Sequence, residues 1–181
     1  MNGGRTMAPG ASFDANVILI GMPASGKTVV GRLLARRLRR GFVDTDLLLE
    51  RRVGCTPGEL LAAAGREAFR RAEEAVVLNL HTRAGVIATG GSVIYSLPAV
   101  DHLRRIGILL YLKVDLAVLR CRGLDLAARG VVRAPGQDLE SLYAERVPLY
   151  ERFADLVIDA HGDDASEVAE RVARVLLAKP H

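Results

Sequence analysis

The sequence predicts an α/β fold of three layers, a parallel five-stranded sheet with helices on both faces. Three observations carry this reading. Continuous apolar runs at residues 17–20, 86–89, 106–112 and 156–158 are short and rich in β-branched side chains, the pattern of strands buried on both faces, and Phe42-Val43 adds a shorter fifth. Segments of helical period separate them, and strand–helix alternation with right-handed crossovers gives a parallel sheet. Glycines follow directly on two of the runs, Gly21 and Gly26 after the first and Gly90 and Gly91 after the second long one. Such glycines let a ligand meet backbone N–H groups closely at the carboxyl ends of the strands.

Residues 17–28 read VILIGMPASGKT. Gly21, four residues, then Gly26-Lys27-Thr28 is the pattern G-x-x-x-x-G-K-[ST] between a strand and a helix start, the setting in which it forms an anion cradle. N–H groups of the loop, with Ala24 and Ser25, and of the first helical turn converge on one spot, and the helix dipole adds partial positive charge there. Lys27 would reach the β- and γ-phosphates, and Thr28 would offer its hydroxyl to Mg²⁺.

The helix at residues 27–40 buries Val30, Leu33, Leu34 and Leu38 and turns its arginines to water. Asp44 and Asp46 follow Phe42-Val43 and, two apart on an extended chain, project to one side. Next to a phosphate loop, one would join the Mg²⁺ shell and the other would take a proton from an acceptor hydroxyl; the competing reading is an acidic cap on the helix from Leu47. Thr56-Pro57-Gly58-Glu59 is a capping box with proline at the first helical position. It starts a short helix ending near Gly65, and a longer one is expected over residues 67–83, where Arg70 and Glu73 share a face. Helices are further expected at 96–105 and 115–122. Residues 123–137 lack periodicity and hold Arg129 and Arg133, with Arg120 and Arg122 just before, which suggests an arginine-bearing lid. A helix over 138–152 should kink at Pro148, and Asp164 with Glu167 caps the last one.

Composition narrows the partners. Of 181 residues half are hydrophobic, enough for one domain, read as 15–181 after a flexible start over 1–14 that lacks the apolar core of a secretory signal. No apolar run reaches the length of a membrane span, so no membrane partner is expected. Cys55 and Cys121 lie far apart without metal-ligand spacing, as in reduced thiols of a cytoplasmic protein. The net charge is +4, from 25 basic and 21 acidic residues, and only three of the basic ones are lysines. Arginine suits bidentate recognition of phosphate and carboxylate. No basic stripe interleaved with aromatics is present, so an acidic small molecule is favoured over nucleic acid. A monomer is expected.

Taken together, GMPASGKT, the DTD of Asp44 to Asp46, FRRAE, TGGS and ERVPLY, in this order from about Asn16 to the C-terminus, resemble shikimate kinases, a family of the nucleoside-monophosphate-kinase-like phosphate-loop fold. The resemblance implies the strand order 2-3-1-4-5 and Mg²⁺-dependent transfer of the ATP γ-phosphate to the 3-hydroxyl of shikimate. By position it implies Lys27 and Thr28 for ATP and Mg²⁺, Asp44 near the metal, and Asp46 at the acceptor hydroxyl as base. Arg70 and Arg146 would grip the shikimate carboxylate, Glu73 would steady Arg70, and Gly90 and Gly91 would border the substrate. Arg120 would pack on adenine and Arg129 would act from the lid. The chain departs from the family pattern twice: Ser92 stands where a third glycine is usual, and Arg129-Gly130-Val131-Val132 stands for Arg-Pro-Leu-Leu. Two alternatives stay open: a relative that phosphorylates another small hydroxy acid such as homoserine, and a nucleotide-binding regulator without catalysis.

Overall fold

A computed structural model describes residues 15–122, 130–161 and 164–178. Its central strand β1 (Asn16–Ile20) is buried along its whole length, as its unbroken apolar run requires. It pairs in parallel with β3 (Val86–Ala88) on one side and β4 (Gly107–Lys113) on the other, so that Ile18 faces Ile87 and Leu109. β2 (Phe42–Asp44) extends the sheet beyond β3 and β5 (Leu156–Asp159) beyond β4, which gives the order β2-β3-β1-β4-β5. This is the expected topology.

The strand order fixes where the helices lie. α1 (Lys27–Leu38) crosses from β1 toward β2, whereas α4 (Leu97–Ile106) crosses back from β3 over β1 to β4. Right-handed crossovers in opposite directions put those two helices on opposite faces. α7 (Ala165–Ala178) packs on α1, and α3 (Pro57–Leu78) packs on α4 and on α2 (Thr45–Val53). α5 (Leu116–Cys121) and α6 (Leu139–Phe153) complete the set between β4 and β5. The core runs through the sheet from Val17, Leu19 and Leu110 into Leu34, Leu103 and Val172. A satellite cluster of Leu49, Phe69, Val76 and Val132 joins α2, α3 and the segment after Gly130.

Several local expectations change in detail. The Thr56 capping box forms with both bonds, and the chain breaks helical geometry at Gly65 (φ 76°, ψ 176°) before α3 resumes. α3 ends at Leu78 rather than near Arg83, because Leu80 turns into the core and Ala84 takes a positive φ of 50° ahead of β3. α6 continues through Pro148 to Phe153. The expected N-terminal segment 1–14 and residues 123–129 of the expected lid, Arg129 among them, lie outside the described residues. Of the remaining lid segment, Val131 and Val132 are buried. Gly130 (φ 60°) sits so close to the first turn of α3 that a Cβ there would lie 2.5 Å from the backbone nitrogen of Gly58.

Candidate active site

The phosphate loop turns off the carboxyl end of β1 and enters α1 at Gly26, whose backbone is left-handed. No side chain caps this helix and no acidic residue stands in its first turn, so its leading N–H groups are open to an external anion. Lys27 is buried beneath the loop and donates to the carbonyls of Gly21 (2.9 Å) and Met22 (2.8 Å). Burial pulls its pKa down to about 8, against the pull of the Asp46 charge in the other direction. Arg122 donates to the Ala24 carbonyl at 2.7 Å and so braces the loop from the end of α5.

Asp44 and Asp46 divide their work through the start of a helix. Asp44 ends β2 and caps α2, accepting from the Asp46 N–H at 3.0 Å, while its other oxygen accepts from the Thr28 hydroxyl at 2.8 Å. Asp46 stands in the first turn of α2 and not on an extended chain, which corrects the geometry expected from the two-residue spacing. The acidic cap therefore forms, at Asp44 and one turn earlier than Leu47, and the same carboxylate also reaches Thr28 of the phosphate loop. Asp46 is open to the solvent of the cavity yet ringed by protein. Desolvation raises its carboxyl pKa, the Asp44 charge adds to the rise, and Lys27 opposes it. Between them, the Thr45 hydroxyl accepts from the Gly90 N–H at 3.0 Å and ties β2 to the turn after β3.

That turn also meets a third carboxylate, through Ser92. Glu73 of α3 is buried, and burial pushes its pKa up to about 7; a 2.5 Å bond donated by Ser92 pulls the other way, and the Asp46 charge adds to the rise. A Cβ on Gly90 would lie 2.1 Å from Glu73 Oε1 and 2.9 Å from Asp46 Oδ1, so glycine is what lets the two carboxyl groups approach this closely. Glu73 Oε1 and Arg70 Nε are both buried without a hydrogen-bond partner among the described residues. Buried polar atoms are rarely left without a partner, and of these two residues Glu73 lines the cavity. Arg146, on α6, is 1% exposed; it donates from Nη2 to the Val132 carbonyl (2.5 Å) and from Nε to the Tyr95 hydroxyl (3.2 Å). Tyr150, one turn on, donates to the Gly91 carbonyl at 2.6 Å.

One cavity of about 700 Å³ is lined by Lys27, Thr28, Asp46, Glu73, Gly90 and Arg146 among others. That volume suits a small-molecule site. Ala24, Ser25, Gly26 and Gly91 also line it. Gly21 and Asp44 stand behind the lining, holding Lys27 and Thr28 respectively. Arg70 is set back from the cavity wall, its guanidinium carbon 4.4 Å from the centre of the Tyr95 ring. Arg120 is exposed and paired with Glu140, away from the cavity, which Arg122 lines instead. The difference follows from helix geometry: α5 ends at Cys121, and Arg122 just past it swings toward the loop. Sequence reasoning also missed Thr45, Tyr95 and Tyr150. Only Arg122 carried a signal, its position at the mouth of the arginine-bearing segment.

A family model for shikimate kinase (SKI) matches residues 23–177. Among curated relatives, shikimate kinase of Moorella thermoacetica is 39% identical over 168 residues, covering 92% of this chain and 96% of the relative. That of Symbiobacterium thermophilum is 42% identical over 150 residues, with 79% and 85% covered. Among solved structures, shikimate kinase from Acinetobacter baumannii in complex with shikimate is similar with a TM-score of 0.84 at 32% identity, covering 91% of this chain and 93% of that one.

Proposed function

The chain belongs to the shikimate kinase family, and from that premise we propose how its cavity transfers the ATP γ-phosphate to the 3-hydroxyl of shikimate. It is an ATP-dependent kinase. The observation that carries the reading is one cavity lined both by a phosphate cradle, Gly26 to Thr28, and by a buried arginine, Arg146, with Asp46 on the same wall.

The open N–H groups at the start of α1 and the Lys27 ammonium hold the polyphosphate of ATP. Once phosphate arrives, Lys27 exchanges its carbonyl partners for a full counter-charge. Arg146 in the cavity wall, and Arg70 set back from it on the Tyr95 ring with its Nε unpartnered among the described residues, take the carboxylate of the acceptor in charge-assisted bonds. Glu73, close to both arginines in its electrostatic field, steadies Arg70. The acceptor hydroxyl then faces the γ-phosphorus. Asp46 takes its proton as the oxygen–phosphorus bond forms and the bond to the leaving ADP oxygen breaks. An aspartate with a raised pKa is a better base than a free one, and holding the two substrates in line supplies most of the acceleration. Arg122 supports the nucleotide side in place of Arg120, and Arg129 is proposed to neutralise charge on the transferring group.

The Thr28 hydroxyl and Asp44 carboxylate, bonded to each other at 2.8 Å beside the cradle, are hard oxygen donors that fit Mg²⁺. Mg²⁺ held there by Thr28 and Asp44 would offset the negative charge of the phosphates. Among the described residues no helix is long and apolar enough to cross a membrane, and the thiols of Cys55 and Cys121 are free, which supports work in the cytoplasm. A coupled ADP-release assay over shikimate, homoserine and gluconate tests the whole. Turnover with shikimate is expected. Turnover with homoserine and none with shikimate overturns the acceptor, and ATP binding without transfer to any of them overturns the catalytic reading.

A further inference from the structure

We infer that Tyr95 is a positioning residue that spaces and orients the two arginines for the acceptor carboxylate, a role that rests on the arginine clamp proposed above. Tyr95 closes the 3₁₀ turn Val93–Tyr95 directly after Gly90-Gly91-Ser92. Its backbone is fixed: Val93 and Ile94 are buried, and the Tyr95 N–H bonds the Ser92 carbonyl at 3.0 Å. The ring therefore stands at a set place beside the acceptor end of the cavity wall.

Both guanidinium groups use that one ring. The Arg70 carbon lies 4.4 Å from its centre and the Arg146 carbon 5.2 Å. Arginine over an aromatic face is attracted by the ring's quadrupole, so a shared ring lets two like charges stand near each other at lower cost than in its absence. The hydroxyl adds direction. It donates to Glu145 Oε1 at 2.5 Å and accepts from Arg146 Nε at 3.2 Å. Glu145 in turn accepts from Gln137 Nε2 at 2.7 Å, so the acceptor side of the bond has its own anchor. With Nε on Tyr95 and Nη2 on the Val132 carbonyl, the plane of the Arg146 fork is fixed before any ligand arrives. Preorganisation of this kind strengthens binding by removing the ordering cost.

A residue that only tunes the clamp changes ground-state and transition-state binding of the carboxylate equally. It then raises KM for shikimate and leaves kcat and the KM for ATP alone. Tyr95→Phe keeps the ring and loses the hydroxyl; a rise of about fivefold in shikimate KM is expected, the size of one ordinary hydrogen bond. Tyr95→Leu loses both, and a rise of about 30-fold or more is expected. In each, kcat and the ATP KM should stay within about twofold, since no contact with the phosphate cradle is touched. The preference for shikimate over its methyl ester, which lacks the carboxylate charge, should shrink in the same order. Unchanged shikimate KM in both variants overturns the inference. So does an equal loss in kcat and both KM values with a lowered Tm, which is the mark of a turn anchor. Arg70→Lys and Arg146→Lys are measured alongside. If they leave shikimate KM unchanged, the clamp itself fails; if they raise it while the Tyr95 variants do not, only the inference about Tyr95 fails.

Discussion

The two ends of the cavity are built in different ways. The phosphate end is backbone: one strand, one turn and the first turn of one helix, contiguous from Gly21 to Thr28, with Lys27 folded under it. The acceptor end is side chains drawn from α3, the turn after β3 and α6, so that Glu73, Ser92 and Arg146 meet across more than seventy residues of chain. A backbone cradle needs glycines at fixed spacing, with Lys27 and Thr28 beside them. A side-chain pocket must hold each charge in place against burial, and the cost is visible in the raised pKa of Glu73 and the orphaned atoms of Glu73 and Arg70. Asp46, the proposed base, lines the same cavity as both ends.

The sharpest way to break this division is Asp46→Asn. It removes the proposed base and leaves the cradle, so turnover should fall about a thousandfold with ATP affinity nearly unchanged. Equal loss of ATP binding, by titration, would show that the two ends are not separable. The next effect is one of pH. Glu73 has a folded pKa of about 7, above its ordinary 4.5, so the folded state keeps a proton that the unfolded chain gives up. Stability is therefore fullest near and below pH 4.5 in respect of this group, falls as pH rises toward 7, and is level above it, by at most about 3 kcal/mol. Glu73→Gln should flatten this slope in denaturant midpoints taken across that range; an unchanged slope assigns it to other groups. Arg70→Ala should raise shikimate KM by about 10- to 30-fold, with ATP KM unaffected, the loss of one charge-assisted contact. Smallest is a proton count at the phosphate end. Lys27, held to about 8 by burial, is part neutral in the free protein at pH 8, and polyphosphate restores its charge. ATP binding should then take up about half a proton at pH 8, read by calorimetry in buffers of different ionisation enthalpy. Uptake that persists in Lys27→Met would point elsewhere.

The same division explains what could be read from the chain. β1, the loop and α1 were legible because the signal is local: an apolar run, glycines at fixed spacing and a lysine next to them. The order β2-β3-β1-β4-β5 came from resemblance, because alternation alone predicts a parallel sheet without its order. The position of Asp44 and Asp46 after Phe42-Val43 is legible, but their geometry is not, since a strand end and a helix start look alike over three residues. At the acceptor end, Arg146 was reached by its motif and Tyr95 by nothing in the sequence: its meaning lies in which two arginines the fold sets on either hand of it. Arg120 and Arg122 differ by two positions and so by slightly more than a half-turn of helix, enough to send one to Glu140 and the other to the loop.

Gly130 has a bearing on how this chain relates to its kin. Where the related pattern carries proline, this position has a backbone angle of +60°, which a pyrrolidine ring locked near −65° cannot adopt, and no room for even a single carbon beside Pro57 and Gly58. The root of this segment and the capping turn at Thr56–Glu59 have been cut to one another's shape. A related segment with proline at this position would need a different neighbouring turn, so the two stretches have to change together.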